Sequence, residues 1–171
     1  LNRVDDQVIE RAMATAALNY YRPWIEDLRK DKPYQLEDRV EQLFHEKSIS
    51  GYAAWNRQFD QTISALRFKV GGKELAIEPT LTLLQDRAPA KRKAAAQALA
   101  KTFKANERTF TLITNTLAKD KEISDRWRGF QDIADSRHLA NRVEREVVDA
   151  LVASVRAAYP RLSHRYYKMK A

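Results

Sequence analysis

Glycine and proline are scarce in this chain, whose 171 residues include only 4 Gly and 5 Pro. Both residue types are needed at the tight turns that join the strands of a sheet-rich fold, so this chain can make few such turns. Hydrophobic residues still make up 44% of the sequence, which is enough to bury a core. These features predict a mainly α fold, a multi-helix array with long antiparallel helices.

Apolar residues recur at helical spacing along most of the first half. The earliest stripe predicts one helix that buries Val4, Val8, Ala12, Ala16 and Tyr20. Pro23 then predicts a kink or a new helix start. Amphipathic segments follow at 36–44 and 55–66. Pro79 and Pro89 predict two further helix starts, because proline fits the first helical turn.

The second half predicts longer helices. Apolar residues keep one helical periodicity over many turns, which indicates a single long helix that Gly129 ends. The residues on its apolar face are Ala95, Leu99, Phe103, Phe110, Ile113 and Leu117. A second stripe predicts a final helix that Pro160 bends without ending it, and its members are Leu139, Val143, Val147, Leu151, Val155, Leu162, Tyr166 and Met169. We expect both stripes, and the aromatic side chains of Trp127 and Tyr166, to pack in the core.

One segment breaks the helical pattern. In RFKVGGKELAIEP, the pair Gly71 and Gly72 separates two short alternating runs, at 68–70 and 73–77. This arrangement predicts a small β-hairpin near residues 67–77 that leans on neighbouring helices. We expect one helical region over 1–171, with possible sub-units 1–66 and 78–171 joined by the hairpin.

The excess of positive over negative charge lies in the second half of the chain. Residues 1–85 hold 12 Lys and Arg against 13 Asp and Glu, whereas residues 86–171 hold 19 against 10, which accounts for the net charge of +8. The cations mostly alternate with carboxylates at helical spacing, which is typical of a solvated helix face. The densest cluster, Lys91, Arg92 and Lys93, has no aromatic neighbours on which bases could stack. We predict no nucleic-acid partner, although a basic nucleic-acid-binding helical domain remains an alternative.

The segment FHEKSIS begins like a helical zinc signature, because His45 is followed by Glu46. Two imidazoles share a zinc ion from one helix only when they lie four residues apart, and position 49 is Ile49. His138 and His164 stand alone, and the chain has no Cys. The pattern predicts no metal site and makes His45 an exposed residue at a helix end. A three-His site built from distant segments remains the alternative.

No catalytic constellation is recognisable either. Ser136, Arg137 and His138 are adjacent, but a nucleophile and its base must converge in space with an orienting acid. We expect instead that Asp135 or Ser136 caps a helix that starts near Arg137. No Gly-rich phosphate loop is present. The sequence therefore predicts no catalytic, cofactor-binding or metal-binding residue in this chain.

The ends of the chain and its hydropathy bear on location. No apolar run has the length of a bilayer span, and acidic residues occupy the N-terminus where a signal sequence would be apolar. We predict a cytoplasmic protein without a membrane partner. The start at Leu1 and the stop at Ala171, within a helix-compatible stretch, suggest a piece cut from something longer.

Three stretches resemble the oligoendopeptidase F family of M3 zinc metallopeptidases, the bacterial branch related to thimet oligopeptidase. YYRPWIEDLRKDKPYQLEDRVEQLFHEKSISGYAAWNRQFDQTISALRF, at 20–68, is similar to the family's N-terminal region, and so are residues 91–100. NTLAKDKEISDRWRGFQDIADSRHLANRVEREVVDALVASVRAAYPRLSHRYYKMKA, at 115–171, is also similar to this family. These are scaffold motifs, and no position here matches the family's zinc-binding His-Glu-x-x-His or its third ligand, Glu.

The resemblance implies that this chain and the catalytic domain of the same enzyme have different roles. The full-length parent would be a zinc-dependent endopeptidase that hydrolyses short oligopeptides, with the downstream catalytic domain as the partner of this chain in cis. This chain would form one wall of the substrate channel, and alone it would be inactive and free of zinc. A standalone helical protein-interaction module is the other alternative to the peptidase hypothesis.

Overall fold

The structure, a computed structural model, describes Leu1–Ala171 and is built almost entirely from helices. Helical residues make up 73% of the chain, which confirms the predicted mainly α fold. The α-helices are α1 (Asp6–Met13), α2 (Ala16–Asn19), α3 (Arg22–Arg29), α4 (Asp38–Ser48), α5 (Tyr52–Ala65), α6 (Ile77–Thr82), α7 (Pro89–Ala105), α8 (Glu107–Arg128), α9 (Asp135–Ala140), α10 (Arg145–Ala158) and α11 (Ser163–Lys170). Short 3₁₀ helices cover Lys32–Tyr34 and Leu83–Gln85. None of the helices combines the length and the apolar composition that a bilayer crossing requires.

The residues group into two compact units. Leu1–Leu36 and Asp125–Ala171 form the terminal unit, and Glu37–Ser124 form the middle unit. This division differs from the predicted sub-units 1–66 and 78–171. The reason is that the two ends of the chain contact each other, and contacts between residues so far apart in sequence leave no local pattern.

The β-hairpin lies in the middle unit and confirms the prediction. Its strands β1 (Phe68–Val70) and β2 (Lys73–Leu75) are antiparallel, with Phe68 opposite Leu75. Gly71 and Gly72 have φ angles of 57° and 79°, in the left-handed region that a two-residue turn of this kind requires. The second strand ends before the predicted residue 77, because Ile77 already begins α6.

Phe68 is the centre of the middle unit's core. Its side chain is fully buried and packs against Ala98 and Leu99 of α7. The Ala-rich face of α7 lets the hairpin approach closely, and Ala95 on that helix is also fully buried. A row of aromatic rings extends the core, with centroids 5.6 Å apart for Phe68 and Phe103 and 6.0 Å apart for Phe103 and Phe110. These edge-on contacts are favourable beyond the area that they bury.

The core of the terminal unit includes only part of the stripe predicted along α1. Ile9 and Met13 are buried with Ile25, while Val8 is 45% exposed and Tyr20 is 83% exposed. Val4 and Ala12 pack against this core as predicted, but the stripe does not continue to Tyr20 because α1 ends at Met13. Pro23 begins α3 as predicted, since proline fits its first turn.

The predicted long helix is in fact two helices. α7 ends at Ala105 and α8 begins at Glu107, and Asn106 between them has φ −106° and ψ 9°. The Asn106 side-chain amide donates to the carbonyl oxygen of Thr102 at 2.9 Å, which replaces a helical backbone partner. Gly129, with φ 81°, ends α8 as predicted.

The predicted final helix is likewise interrupted. Arg142 has φ 53° and separates α9 from α10, so the stripe from Leu139 to Val155 is not continuous. Pro160 does not merely bend the chain, because α10 ends at Ala158 and α11 begins at Ser163. Three separate helices therefore occupy the segment in which one bent helix was expected.

Candidate functional site

The three histidines lie on three separate helices, His45 on α4, His138 on α9 and His164 on α11. His45 lies exposed in the last turn of α4, as predicted, and the neighbouring Glu46 accepts a hydrogen bond from Gln42 at 2.9 Å. His164 of α11 lies against Tyr159, with ring centroids 6.2 Å apart. No group of three or more His, Cys, Asp or Glu side chains is arranged to hold a metal ion.

The Ser136 hydroxyl is hydrogen-bonded to a carboxylate. It donates to Asp125 Oδ2 at 3.2 Å. The expected helix cap by Asp135 or Ser136 is wrong, because Ala134 occupies the cap position without a side-chain bond. Asp135 Oδ2 instead accepts from the backbone N–H of Asp132 at 2.9 Å. These polar groups shape the turn before α9, which is a structural role.

Asp132 shows how that turn is stabilised. Its carboxylate accepts the backbone N–H of Ala134 at 2.9 Å and faces Arg145. The Ala134 N–H, with Arg145 as the next favourable influence, lowers the pKa of Asp132 below its ordinary value. A lowered pKa means that the stabilising charge is present at neutral pH and is lost as the pH falls through the folded-state value.

Two members of the basic cluster hold the loop before α7. Lys91 donates to Asp86 Oδ2 at 3.1 Å, and Arg92 donates to the carbonyl oxygens of Asp86 and Arg87 at 2.9 and 3.0 Å. The backbone N–H of Ala88, followed by Lys91, lowers the pKa of Asp86. Only Lys93 is exposed without such a partner, so the main role of this cluster is to stabilise the loop before α7.

Arg142 is hydrogen-bonded to two carboxylates from the other end of the chain. Its Nη1 and Nη2 donate to the two carboxylate oxygens of Asp31 at 3.0 and 3.1 Å, and its Nε donates to Asp27 Oδ2 at 3.0 Å. The Asp31 carboxylate, with Asp27, raises the pKa of Arg142 above its ordinary value. A planar guanidinium is suited to such paired bonds. We call Arg142, Asp27 and Asp31 the Arg142 clamp; it was not predictable from the sequence, because Arg142 lies more than a hundred residues from both carboxylates.

Further contacts tie the two ends of the chain together within the terminal unit. The rings of Tyr34 and Phe130 are stacked, with centroids 4.1 Å apart, and Arg128 donates to the carbonyl oxygen of Tyr34 at 3.1 Å. Within the N-terminal segment, Arg29 donates to the carbonyl oxygens of Leu1 and Val4 and to Asp6. The terminal unit thus combines a small apolar core with polar contacts between segments far apart in sequence.

Replacing Arg142 with alanine is expected to increase amide hydrogen exchange in α10 by several-fold, since the clamp holds the residue that leads into that helix. The middle unit should be unaffected. Hydrogen exchange followed by mass spectrometry measures both. Arg156→Ala is the matched control, because Arg156 is an arginine of α10 itself and makes no ion pair. Equal exchange in the two variants would show that the clamp does not restrain α10.

α10 carries an uncovered apolar surface. No residue of α10 is buried, and the exposed fractions are 57% for Val147, 62% for Leu151, 48% for Val152 and 43% for Val155. We call these four residues the α10 apolar face. The prediction that this stripe is core is wrong for this chain, because no other element covers it. Trp127 and Tyr166, also expected in the core, are 54% and 50% exposed.

The segment that follows α10 is strongly basic. No Asp or Glu occurs after Asp149, and the exposed cations beyond that position are Arg156, Arg161, Arg165, Lys168 and Lys170. None of them forms an ion pair, and Lys170 lies 5.5 Å from the ring centre of Tyr166. An apolar helix face therefore adjoins a group of unpaired cations, and this is the chain's main candidate interaction surface.

Residues 1–68 match a family model described as Oligopeptidase F, which supports the N-terminal region of that family. The match covers α1 to α5 and reaches the first residue of β1. It confirms the resemblance found at 20–68 and extends it to residue 1. The similar stretches at 91–100 and 115–171 lie outside the match and stay predictions. No curated protein and no solved structure matches the chain.

Proposed function

We propose that this chain is the N-terminal helical part of a zinc-dependent oligoendopeptidase that hydrolyses short peptides. The match of residues 1–68 to the Oligopeptidase F model carries the proposal. The mainly helical fold agrees with it. We expect the complete enzyme to act in the cytoplasm.

The chemistry of that enzyme belongs to residues outside this chain. No group of three or more His, Cys, Asp or Glu side chains is arranged to hold a metal ion, and Ser136 donates to Asp125. The catalytic part in cis would supply the zinc, which makes a bound water nucleophilic and polarises the scissile carbonyl. The role left to this chain is structural, and we assign it one wall of the substrate channel.

A channel wall of rigid helices selects substrates by shape. An extended oligopeptide can enter a narrow channel, whereas a folded protein is excluded by its size. The basic second half could add electrostatic attraction for acidic groups or for the peptide carboxylate. Lys91 and Arg92 are poor candidates for that attraction because they hold the Asp86 loop, so Lys93 is the cation of that cluster to test.

A standalone interaction module is the second candidate function. The observation that favours it is the α10 apolar face beside unpaired cations, which would serve a separate partner protein equally well. The two proposals differ in what the complete gene product contains. Only the peptidase proposal requires a zinc signature on the same polypeptide.

The test compares the complete gene product with residues 1–171 alone. We expect the complete protein to retain stoichiometric zinc through dialysis and to cleave a short internally quenched peptide. We expect residues 1–171 to do neither, and a folded protein substrate to resist both preparations. Absence of zinc and of peptide cleavage in the complete protein would contradict the proposed function. Cleavage by residues 1–171 alone would contradict the assigned division of labour.

A further inference from the structure

We propose that the α10 apolar face and the cations of α11 form the surface on which the catalytic part of the same polypeptide docks. The docking surface of that part is apolar opposite α10 and acidic opposite α11. This inference rests on the proposed function, because it takes the catalytic part in cis as the partner. It adds the location of the interface and the chemistry of its other side.

α10 has no buried side. The helix is 14 residues long and none of its residues is buried. A helix of this length is only marginally stable in water without packing on its apolar face. Val147, Leu151 and Val155 lie four residues apart and so project from one side of the helix. A stripe with this spacing is complementary to another helix or to an apolar groove.

Polar contacts hold α10 at its N-terminal end only. The Arg142 clamp holds the chain just before the helix, and Arg145 at its first position pairs with Asp135 and Asp132. From Val147 onward the apolar side chains have no cover. The polar anchors thus present the helix in a fixed direction while leaving its apolar face available.

The exposed side-chain charges beyond Asp149 are all positive. The cations beyond Asp149 are exposed and unpaired, so the partner that complements them carries Asp and Glu. A second copy of this chain would bring the same cations, and each copy carries a net charge of +8. Like charges facing each other oppose such pairing. Charge therefore favours an acidic partner over a homodimer.

The experiment uses thiol labelling, because the chain has no cysteine of its own. Leu151→Cys places a thiol on the α10 apolar face. Ala153→Cys is the matched control, since two helical steps turn the side chain by about 200° to the opposite side. Both variants are made in residues 1–171 and in the complete gene product, and labelling at each site is measured by peptide mass spectrometry.

We expect the two thiols to react at similar rates in residues 1–171. In the complete protein the thiol at position 151 should react at least about tenfold more slowly, because a covered thiol reacts only when the interface opens. The thiol at position 153 should keep its rate. Rapid labelling at 151 in the complete protein, or equal protection at both positions, would overturn the assignment. Concentration-dependent protection at 151 in residues 1–171 would point to a second copy instead and would also overturn it.

A charge-reversal arm tests the acidic half of the proposal. Arg165→Glu combined with Lys168→Glu should raise labelling at position 151 of the complete protein by several-fold. Lys93→Glu, an exposed charge reversal on α7, should not change it. No response to the α11 reversal would overturn the acidic partner. Peptide cleavage is measured on the same preparations, so rapid labelling of an active peptidase refutes the docking surface alone, whereas protection without zinc or cleavage refutes the proposed function.

Discussion

Replacing Phe68 with alanine is expected to destabilise the middle unit by about 3–5 kcal/mol, the range found for large aromatic residues removed from a packed core. Phe68 is fully buried, and it packs against Ala98 and Leu99 of α7 and edge-on against Phe103. The alanine side chain would leave a cavity that the short hairpin cannot fill, because the strands have three residues each. Urea unfolding followed by far-UV circular dichroism measures the loss in free energy of unfolding.

Phe59→Ala is the matched control for this prediction. Phe59 lies in the same unit and makes an edge-on contact with Phe110 at 6.0 Å, but its side chain is 43% exposed. Its removal should cost clearly less than that of Phe68, because part of the ring is already in water. A similar loss for the two variants would mean that Phe68 is not the centre of this core.

Local backbone signals account for the parts of the fold that were predictable from the sequence. Pro23 and Pro89 each begin a helix, and Gly129 ends one. The Gly71 and Gly72 pair makes the hairpin turn with two positive φ angles. Each of these residues acts through its own allowed backbone angles, so its effect does not depend on distant parts of the chain.

The helix break at Asn106 shows where such signals are insufficient. Phe103 and Phe110 stay in helical phase across the break, so apolar periodicity indicates one continuous helix. Asparagine is tolerated inside helices, although its side chain can also satisfy a backbone carbonyl, as it does here at Thr102. The outcome depends on packing that the sequence does not display.

The choice of buried face has the same origin. Val8 and Ile9 are both apolar and adjacent in α1, and either could face a core. Ile9 is buried because Ile25 of α3 packs with it, whereas Val8 is exposed. Likewise the Arg142 clamp joins residues separated by 111 and 115 positions. Pairings over such distances leave no periodic trace.

The candidate interaction surface was recognised in sequence only as an apolar stripe. Periodicity correctly placed Val147, Leu151 and Val155 on one side of a helix. It could not tell whether this chain or another part of the protein covers that side, because both cases need the same spacing. The absence of a zinc signature around His45 was, in contrast, readable directly, since it depends on residue identity at one fixed spacing.

Replacing Ile113 with alanine is expected to destabilise the middle unit by about 2–5 kcal/mol, the range for buried aliphatic residues. Ile113 is 2% exposed and lies beneath a surface groove lined by Ala54 and Trp55 of α5. The loss of its branched side chain would remove packing between α5 and α8. Thermal and urea unfolding, read at 222 nm, should both show the shift.

The adjacent residue makes this test stringent. Leu112 is an aliphatic residue of similar volume on the same helix, and it is 57% exposed. Leu112→Ala should change the free energy of unfolding by no more than about 0.5 kcal/mol, as for most surface substitutions. Both residues are neighbours on α8 and line the same groove, but only Ile113 is buried, so the difference between the two variants reports mainly on burial. If the two variants lost equal stability, the orientation assigned to α8 in this unit would be incorrect.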